Sequence, residues 1–396
     1  MLKSIQLRNF LSYGPNSAAI PLKNLNLLIG PNGSGKSNLL EGIALMQSAP
    51  GQLVVPIREG GGVRDWLWKG IDKKNVVASL EIVVDPLFNS QQQIPLRYRF
   101  DFTESGNRFE IVEERIENTE AYPKHAEPYF YYRYINNQPV LNIRKEQGHP
   151  SSPRTLRRED IDPERSILAQ RRDPDTYPEI TRLAEKLADI RIYRDWSFGR
   201  YTPARLPQPS DLPNQWLEEN TRNLALVLNR LKRNVETKNR LLEMFSAVYA
   251  EAQDFDVIIE GGTVQIFVQE GHFNIPASRL SDGTLRYLCL LAILYDPSPP
   301  PLICIDEPEM GMHPDLINHI ADALRYAAHH TQLVVTTHST ALVDAFTDDP
   351  ETILVCEKIE GCTQVRRLDA QQLSPWLTKY SLGDLWSKGE IGGSRW

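Results

Sequence analysis

The sequence predicts an α/β fold: a mixed or parallel core sheet that carries an antiparallel β subdomain and a helical lid insertion. Three observations predict it. Leu25-Asn26-Leu27-Leu28-Ile29 reads as a short buried strand, and it runs through a glycine-rich turn into a helix with apolar residues at helical spacing, from Asn38 to Leu45. From about residue 284 onward, helix-like and strand-like segments alternate. Between these two ends lies first a series of β segments and then a series of helical ones, as an insertion would supply.

In chain order, residues 1–48 read as strand, strand, glycine-rich loop and helix. Gly60-Gly61-Gly62 and Trp66-Leu67-Trp68 then give a loop with an aromatic anchor. β segments follow over 76–84, 95–102, 108–116 and 129–134, and Ile135-Asn136-Asn137-Gln138 forms a tight hairpin into 139–143. From about 148 the composition turns rich in Pro, Arg and Asp, and helices are expected over 177–190, 217–233 and 236–252. Leu224, Val227, Leu228 and Leu231 make the apolar stripe of the middle one, with Asn220 or Thr221 as its cap. Val257–Ile259 and Val264–Val268 flank Gly261-Gly262 as a further hairpin. The remainder reads as helix 284–294, strand 301–305, helix 314–328, strand 332–336 and strand 352–357, which resume the first sheet. The expected division is an N-terminal lobe over 1–147, a helical lid over 148–252 and a C-terminal lobe over 253–396.

Composition narrows the class. At 396 residues, 41% hydrophobic and 24% charged, the chain has the make-up of a soluble globular protein. No apolar run approaches the roughly 18 residues that span a bilayer, and Met1 to Leu7 alternates like a strand, so the expected location is cytoplasmic and without membrane. Cys289, Cys304, Cys356 and Cys362 form no C-x-x-C pair, and the first two sit in apolar runs, so packing is their expected role. A formal net charge of −7 opposes broad nonspecific affinity for nucleic acid but leaves room for a local basic face. Arg154, Arg157, Arg158, Arg171 and Arg172 are the residues for such a face, with Glu159, Asp160, Asp162 and Glu164 set among them.

The turn itself carries the chemistry. Gly30-Pro31-Asn32-Gly33-Ser34-Gly35-Lys36-Ser37 fits G-x-x-x-x-G-K-[ST] between strand and helix. Glycines permit the backbone angles and close approach that a Cβ forbids, and successive N–H groups with a helix N-terminus then cradle phosphate. Gly30, Asn32, Gly33, Gly35 and Asn38 would line that cradle, Lys36 would reach the β- and γ-phosphates, and Ser37 would bind Mg²⁺. The chain is therefore expected to bind a nucleoside triphosphate, with ATP and Mg²⁺ as its cofactors.

Three later stretches define the class further. Leu302-Ile303-Cys304-Ile305 is an apolar strand ending in Asp306 and Glu307, the first placed for Mg²⁺ and the second to deprotonate an attacking water. Leu280-Ser281-Asp282-Gly283-Thr284 precedes an apolar helix, and Leu333 to Thr337 is a strand ending at His338. Together with Leu7-Arg8-Asn9-Phe10 and Asp306-Glu307-Pro308-Glu309 followed by His313-Pro314, these resemble the RecF/SMC/OLD branch of ABC-type ATPases, often called AAA family ATPases. The resemblance covers about 1–48 and 278–340. It implies a P-loop ABC-type ATPase head in which Ser281 and Gly283 touch the γ-phosphate bound by a second subunit. It also implies that His338 contacts that phosphate, that a homodimer forms on ATP binding, and that DNA or a separately encoded effector or nuclease is the partner. DNA repair and antiviral defence are the homes such relatives suggest.

Two departures from the pattern stand out. No glutamine lies in a clear Q-loop context, and Gln170 is the candidate for linking the lid to Mg²⁺. The tail after His338 offers Glu357 but no D-x-D, so the Toprim nuclease of OLD-type proteins is not expected in this chain. The nucleotide-binding subunit of an ABC transporter and a nuclease-linked ATPase are the alternative readings.

Overall fold

The computed structural model describes residues 1–396 apart from 71–75, 89–93, 136–137, 143–152, 158–159, 195, 197 and 394–396. In chain order, β1 (Leu2–Arg8), β2 (Ile20–Pro21) and β3 (Leu25–Ile29) lead into α1 (Lys36–Ser48) and the short helices α2 (Val54–Glu59) and α3 (Val63–Trp66). Six strands follow: β4 (Ala78–Val84), β5 (Leu96–Ser105), β6 (Arg108–Asn118), β7 (Phe130–Ile135), β8 (Gln138–Asn142) and β9 (Pro153–Thr155). Next come α4 (Ile167–Gln170), α5 (Pro178–Ala188), β10 (Arg191–Tyr193), β11 (Gln208–Pro209), α6 (Leu224–Leu231) and α7 (Val235–Ser246). The last third holds β12 (Ala252–Glu260), β13 (Thr263–Glu270), β14 (Phe273–Pro276), α8 (Asp282–Leu294), β15 (Leu302–Asp306) and α9 (Ile317–Ala328). It ends with β16 (Gln332–Thr336), α10 (Thr340–Asp344), β17 (Ile353–Ile359), β18 (Cys362–Arg367), α11 (Ala370–Leu377) and α12 (Leu382–Ser387).

The core sheet runs β10-β15-β16-β3-β17-β18, parallel throughout except for β18. Its interior strands β3, β15 and β16 are buried on both faces, which is why they read as largely apolar runs. Alternation along each strand divides them between two cores. Leu27, Ile29, Ile303, Ile305, Leu333, Val335, Ile353 and Val355 pack on the side of α6, α8 and α9. Leu28, Leu302, Cys304, Val334, Leu354 and Cys356 face α1, α5 and the second sheet. The phosphate-loop strand thus shares a sheet with the C-terminal strands, as expected. β1 does not join it: β1 pairs with β2 and β4 at one end of an eight-stranded antiparallel sheet, β2-β1-β4-β5-β6-β7-β8-β9.

The stretch 148–252 is less separate than its composition suggests. β9 extends the antiparallel sheet, β10 is an edge strand of the core sheet, and β11 pairs with β13. The expected lobe boundaries at 147/148 and 252/253 therefore fall inside sheets, because strand pairing crosses both. The expected helix 217–233 shortens to α6, and the expected helix 236–252 stops at Ser246 before β12 begins. Neither Asn220 nor Thr221 caps α6. Thr221 adopts a left-handed backbone (φ 60°), and the N-cap is Asn223, whose amide instead ties Glu218, Pro213 and Trp216 together. Ile135 pairs with Gln138 across the expected hairpin, while Asn136, Asn137 and Ile143 lie outside the described residues. All four cysteines are free, three of them buried. Among the described residues no helix is long and apolar enough to cross a membrane.

One carboxylate pins the insertion to the antiparallel sheet. Glu114 of β6 accepts hydrogen bonds from Tyr98 Oη (2.9 Å), Ser166 Oγ and the Ile167 amide (3.0 Å), the last at the N-terminus of α4. Burial pushes its pKa up from 4.5 to about 7, against the pull of those donors. A carboxylate whose folded pKa is raised holds its proton longer in the native state, so stability declines as pH rises from about 4.5 to about 7. Glu114→Gln removes this dependence. Thermal melts at pH 5 and pH 8 are expected to show the variant gaining on the parent protein at the higher pH. An equal difference at both pH values would mean that Glu114 ionises normally.

Candidate active site

The site forms where the core strands end. Asp306 pairs with Thr336 and Thr336 with Leu28 across β15, β16 and β3, so the acidic strand end lies two strand spacings, about 10 Å, from the strand that feeds the phosphate loop. Crevices at the carboxyl ends of parallel strands are where α/β sheets bind ligands.

The phosphate loop is shaped by glycine. Gly30, Gly33 and Gly35 have φ of 149°, 77° and 100°. A Cβ on Gly30 would meet the Cys356 carbonyl at 2.3 Å, and one on Gly35 would meet Thr363 Oγ1 at 2.1 Å. Gly35 is also the N-cap of α1 and offers no side-chain cap, so the first N–H groups of the helix are left for a ligand. Lys36, only 6% exposed, donates from Nζ to the carbonyls of Gly30 (2.7 Å) and Pro31 (3.2 Å). Ser34 Oγ is buried without a hydrogen-bond partner. An uncapped helix start and an orphaned hydroxyl beside a lysine fit a bound polyphosphate. Asn32 and Ser37 are exposed, Ser37 in the first turn of α1. Asn38 is occupied otherwise: its amide donates to Ser12 Oγ (2.6 Å), which pairs with Thr363 Oγ1, itself a donor to the Ser34 carbonyl (2.9 Å). That chain of hydroxyls braces the loop from behind.

Around the acidic strand end the contacts are equally specific. Asp306 accepts from Thr336 Oγ1. Glu307 has a left-handed backbone (φ 47°), rare for a residue with a side chain. Its N–H donates to the Thr336 carbonyl (3.1 Å), and its carbonyl accepts from Met310 N (3.1 Å) and Arg286 Nη2 (3.0 Å). His338 Nε2 lies 3.5 Å from Glu307 Oε1. Glu309 accepts from Thr337 Oγ1 and the His338 amide, and burial raises its pKa. Arg286, 6% exposed, sits in the second turn of α8, with its guanidinium 5.3 Å and 5.9 Å from the ring centres of Trp196 and Phe198. A lone cation in the apolar run Leu285–Leu294 was the sequence signal for it; nothing local signalled Thr336 or Thr363.

Ser281 is the exposed N-cap of α8, accepting from Thr284 N (3.0 Å), and a Cβ on Gly283 would lie 3.3 Å from the Gly311 carbonyl. Gln170 is not brought to the site. Its amide bonds the backbones of Asp162 and Arg165. Two residues on, Arg172 bonds the Pro50 carbonyl beyond the C-terminal end of α1, a helix about 20 Å long whose other end is the phosphate loop. Its expected role at Mg²⁺ is therefore withdrawn. Of the expected basic face, Arg171 and Arg172 bond backbone carbonyls of Gln170, Asp160, Leu168 and Pro50, while Arg158 and Glu159 lie outside the described residues.

Residues 25–344 match the family described as "AAA domain, putative AbiEii toxin, Type IV TA system". The chain belongs to this family. Its fold is similar to that of an Smc head bound to the C-terminal winged-helix domain of ScpA, with a TM-score of 0.55 at 16% identity over 94% of this chain and 99% of that one. A Pyrococcus furiosus Smc head with an extended coiled coil, bound to the C-terminal domain of ScpA, gives 0.54 at 14% identity over 96% and 98%. In sequence, the chain is 27% identical over 119 residues to structural maintenance of chromosomes protein 1 of Arabidopsis thaliana, covering 30% of this chain and 9% of that protein. It is also 27% identical over 116 residues to the chromosome partition protein Smc of Mycobacterium tuberculosis, covering 28% and 9%. The chain therefore matches less than a tenth of the length of these relatives.

Gly35→Ala tests the loop geometry. Its Cβ has no room and its φ is unfavourable, so nucleotide binding should be lost. Retention of the parent Kd in a fluorescent-nucleotide titration would show that the loop adapts.

Proposed function

We propose that this ATPase is a dimerising switch in which two copies close around two ATP molecules, hydrolyse them and reopen. One observation carries the reading. The phosphate loop, Asp306, Glu307 and His338 follow the carboxyl ends of the interior strands β3, β15 and β16, whereas Ser281 stands exposed at the start of α8. Each site would then join the phosphate loop and acidic strand end of one subunit to Ser281 and Gly283 of the other.

Within a site, Lys36 and the α1 N-terminus hold the β- and γ-phosphates. Ser37 and Asp306 are the residues to hold Mg²⁺, which when bound neutralises phosphate charge. Glu307 accepts the proton of the attacking water, and the fixed backbone at Glu307 sets the direction of its carboxylate. His338, beside that carboxylate, senses the γ-phosphate. The output is DNA engagement or control of a separately encoded effector. Relatives named for chromosome partition and for a toxin system, and heads solved with ScpA, support a partner of this kind. DNA maintenance or antiviral defence is the proposed setting.

Lys36→Ala should weaken ATP binding by roughly 10- to 100-fold, the worth of a charge-assisted contact, as read by equilibrium titration. Glu307→Gln should bind ATP, turn over about 100- to 10,000-fold more slowly, and accumulate as a dimer by light scattering. The composite site is tested by mixing two inactive proteins, Glu307→Gln and Ser281→Arg. In a mixed dimer both lesions fall on one site and the other is wild type throughout, so ATPase activity should return. Mixtures that stay inactive, with a specific activity of the parent protein independent of its concentration, would sink the dimer. A duplex-DNA isotherm against salt addresses the output: about −0.9 in log–log slope per phosphate contact marks DNA, and a flat line leaves the protein effector.

A further inference from the structure

Ser281 sits in a loop that the insertion grips. Arg205, at the end of a short 3₁₀ turn (Pro203–Arg205), has a side chain only 7% exposed. Its Nη1 donates to the carbonyl of Leu280 at 2.6 Å, with those of Ala277 and Ser278 at 3.4 Å, and its Nη2 pairs with the carboxylate of Asp282. One guanidinium therefore holds the residue before Ser281 by its carbonyl and the residue after it by its side chain. The rigid planar fork of arginine suits such a crosslink, which a flexible ammonium reproduces poorly. The segment bearing Arg205 is anchored in turn: Gln208 Nε2 donates to the Pro203 carbonyl (3.3 Å), and Gln208 Oε1 accepts from Ala225 N of α6 (2.7 Å).

We propose that Arg205 is a positioning residue for the signature loop, and that through it the insertion governs hydrolysis at the partner subunit's nucleotide rather than at its own. A serine presented across an interface contributes only if it is already ordered. Fixing the backbone of a free loop costs conformational entropy, and that cost would otherwise be met at each closure. Movement of the 199–208 segment releases Leu280 and Asp282 together and so uncouples Ser281. This rests on the composite-site reading above.

The test uses purified full-length protein. Arg205→Gln should bind ATP within about twofold of the parent Kd, since the phosphate loop is untouched, while turnover drops about 10- to 100-fold, in the range of one lost electrostatic contact at a reacting group. Arg205→Lys should recover part of the loss. Direction is the decisive readout. Mixed with Glu307→Gln, Arg205→Gln should restore ATPase activity, because both lesions then share one site. Mixed with Ser281→Arg it should not, because each site then carries a damaged signature. A residue acting on its own subunit's nucleotide, or one that merely loosens the fold, gives no restoration with Glu307→Gln. The Glu307→Gln and Ser281→Arg mixture is the control: if it fails, the composite site is wrong, and if it works while the Arg205→Gln mixture fails, only the role of Arg205 falls. Should Arg205→Gln not fold, Asp282→Asn removes the ionic half of the grip at an exposed position and enters the same mixtures with the same expected pattern. Wild-type turnover in the soluble variant overturns the proposal.

Discussion

A phosphate cradle needs backbone N–H groups left without partners, and the uncapped start of α1 and the close packing around Gly30 and Gly35 fit that requirement. Such groups are costly once desolvated, so the loop must be rigid enough not to collapse onto its own donors. The chain meets this requirement from outside the loop. Thr363 of β18 and Ser12 after β1 press on Gly35 where no Cβ fits, and Tyr13 Oη reaches the Gly35 carbonyl (3.2 Å). Residues some 350 positions apart meet there, because β17 pairs with β3 and carries β18 at its outer edge.

The same economy governs the acidic strand end. Glu307 adopts an unfavourable backbone that costs of order 1–3 kcal/mol unless its surroundings impose it. Thr336, Met310 and Arg286 impose it, using the peptide groups on either side of one α-carbon. Since Arg286 belongs to α8, the helix headed by Ser281 is mechanically continuous with the residue placed to act as base. Arg205 grips the other end of the same loop. Arg286 thus ties the helix headed by Ser281 to the backbone of Glu307, while Arg205, from a different part of the chain, holds the residues on either side of Ser281.

What the sequence disclosed follows from the range of the interactions involved. The placement of the phosphate loop, Asp306 and Glu307, Ser281 and His338 at the ends of strands and helices was legible because those elements are strongly patterned in consecutive residues. The parallel core sheet was legible for the same reason: strands buried on both faces must be apolar throughout. Arg205, Thr336 and Thr363 were not, because each acts on a partner 30 to 330 positions away and looks ordinary where it stands. Gln170 was named in the absence of any clear Q-loop context, and its amide is spent on local turns. The helix expected over 217–233 was overextended because Leu217 keeps the period of the α6 stripe on the far side of Thr221, where the backbone turns left-handed. β10 escaped notice since three residues carry no period at all.

The strand order has a consequence for how the protein is made. β3 lies between β16 and β17, so neither of its edges finds a partner until some three hundred further residues exist. A growing chain can assemble the antiparallel sheet, whose neighbours mostly follow one another, long before it can seat β3. Until then β3 and the loop it carries have no sheet to fix them. Closure of the core sheet is thus a nonlocal step, of the sort that loop-closure entropy makes slow. A chain interrupted before β17 can still pair β3 with β16, yet it carries a complete phosphate-loop sequence without the Cys356 carbonyl and Thr363 that close against Gly30 and Gly35.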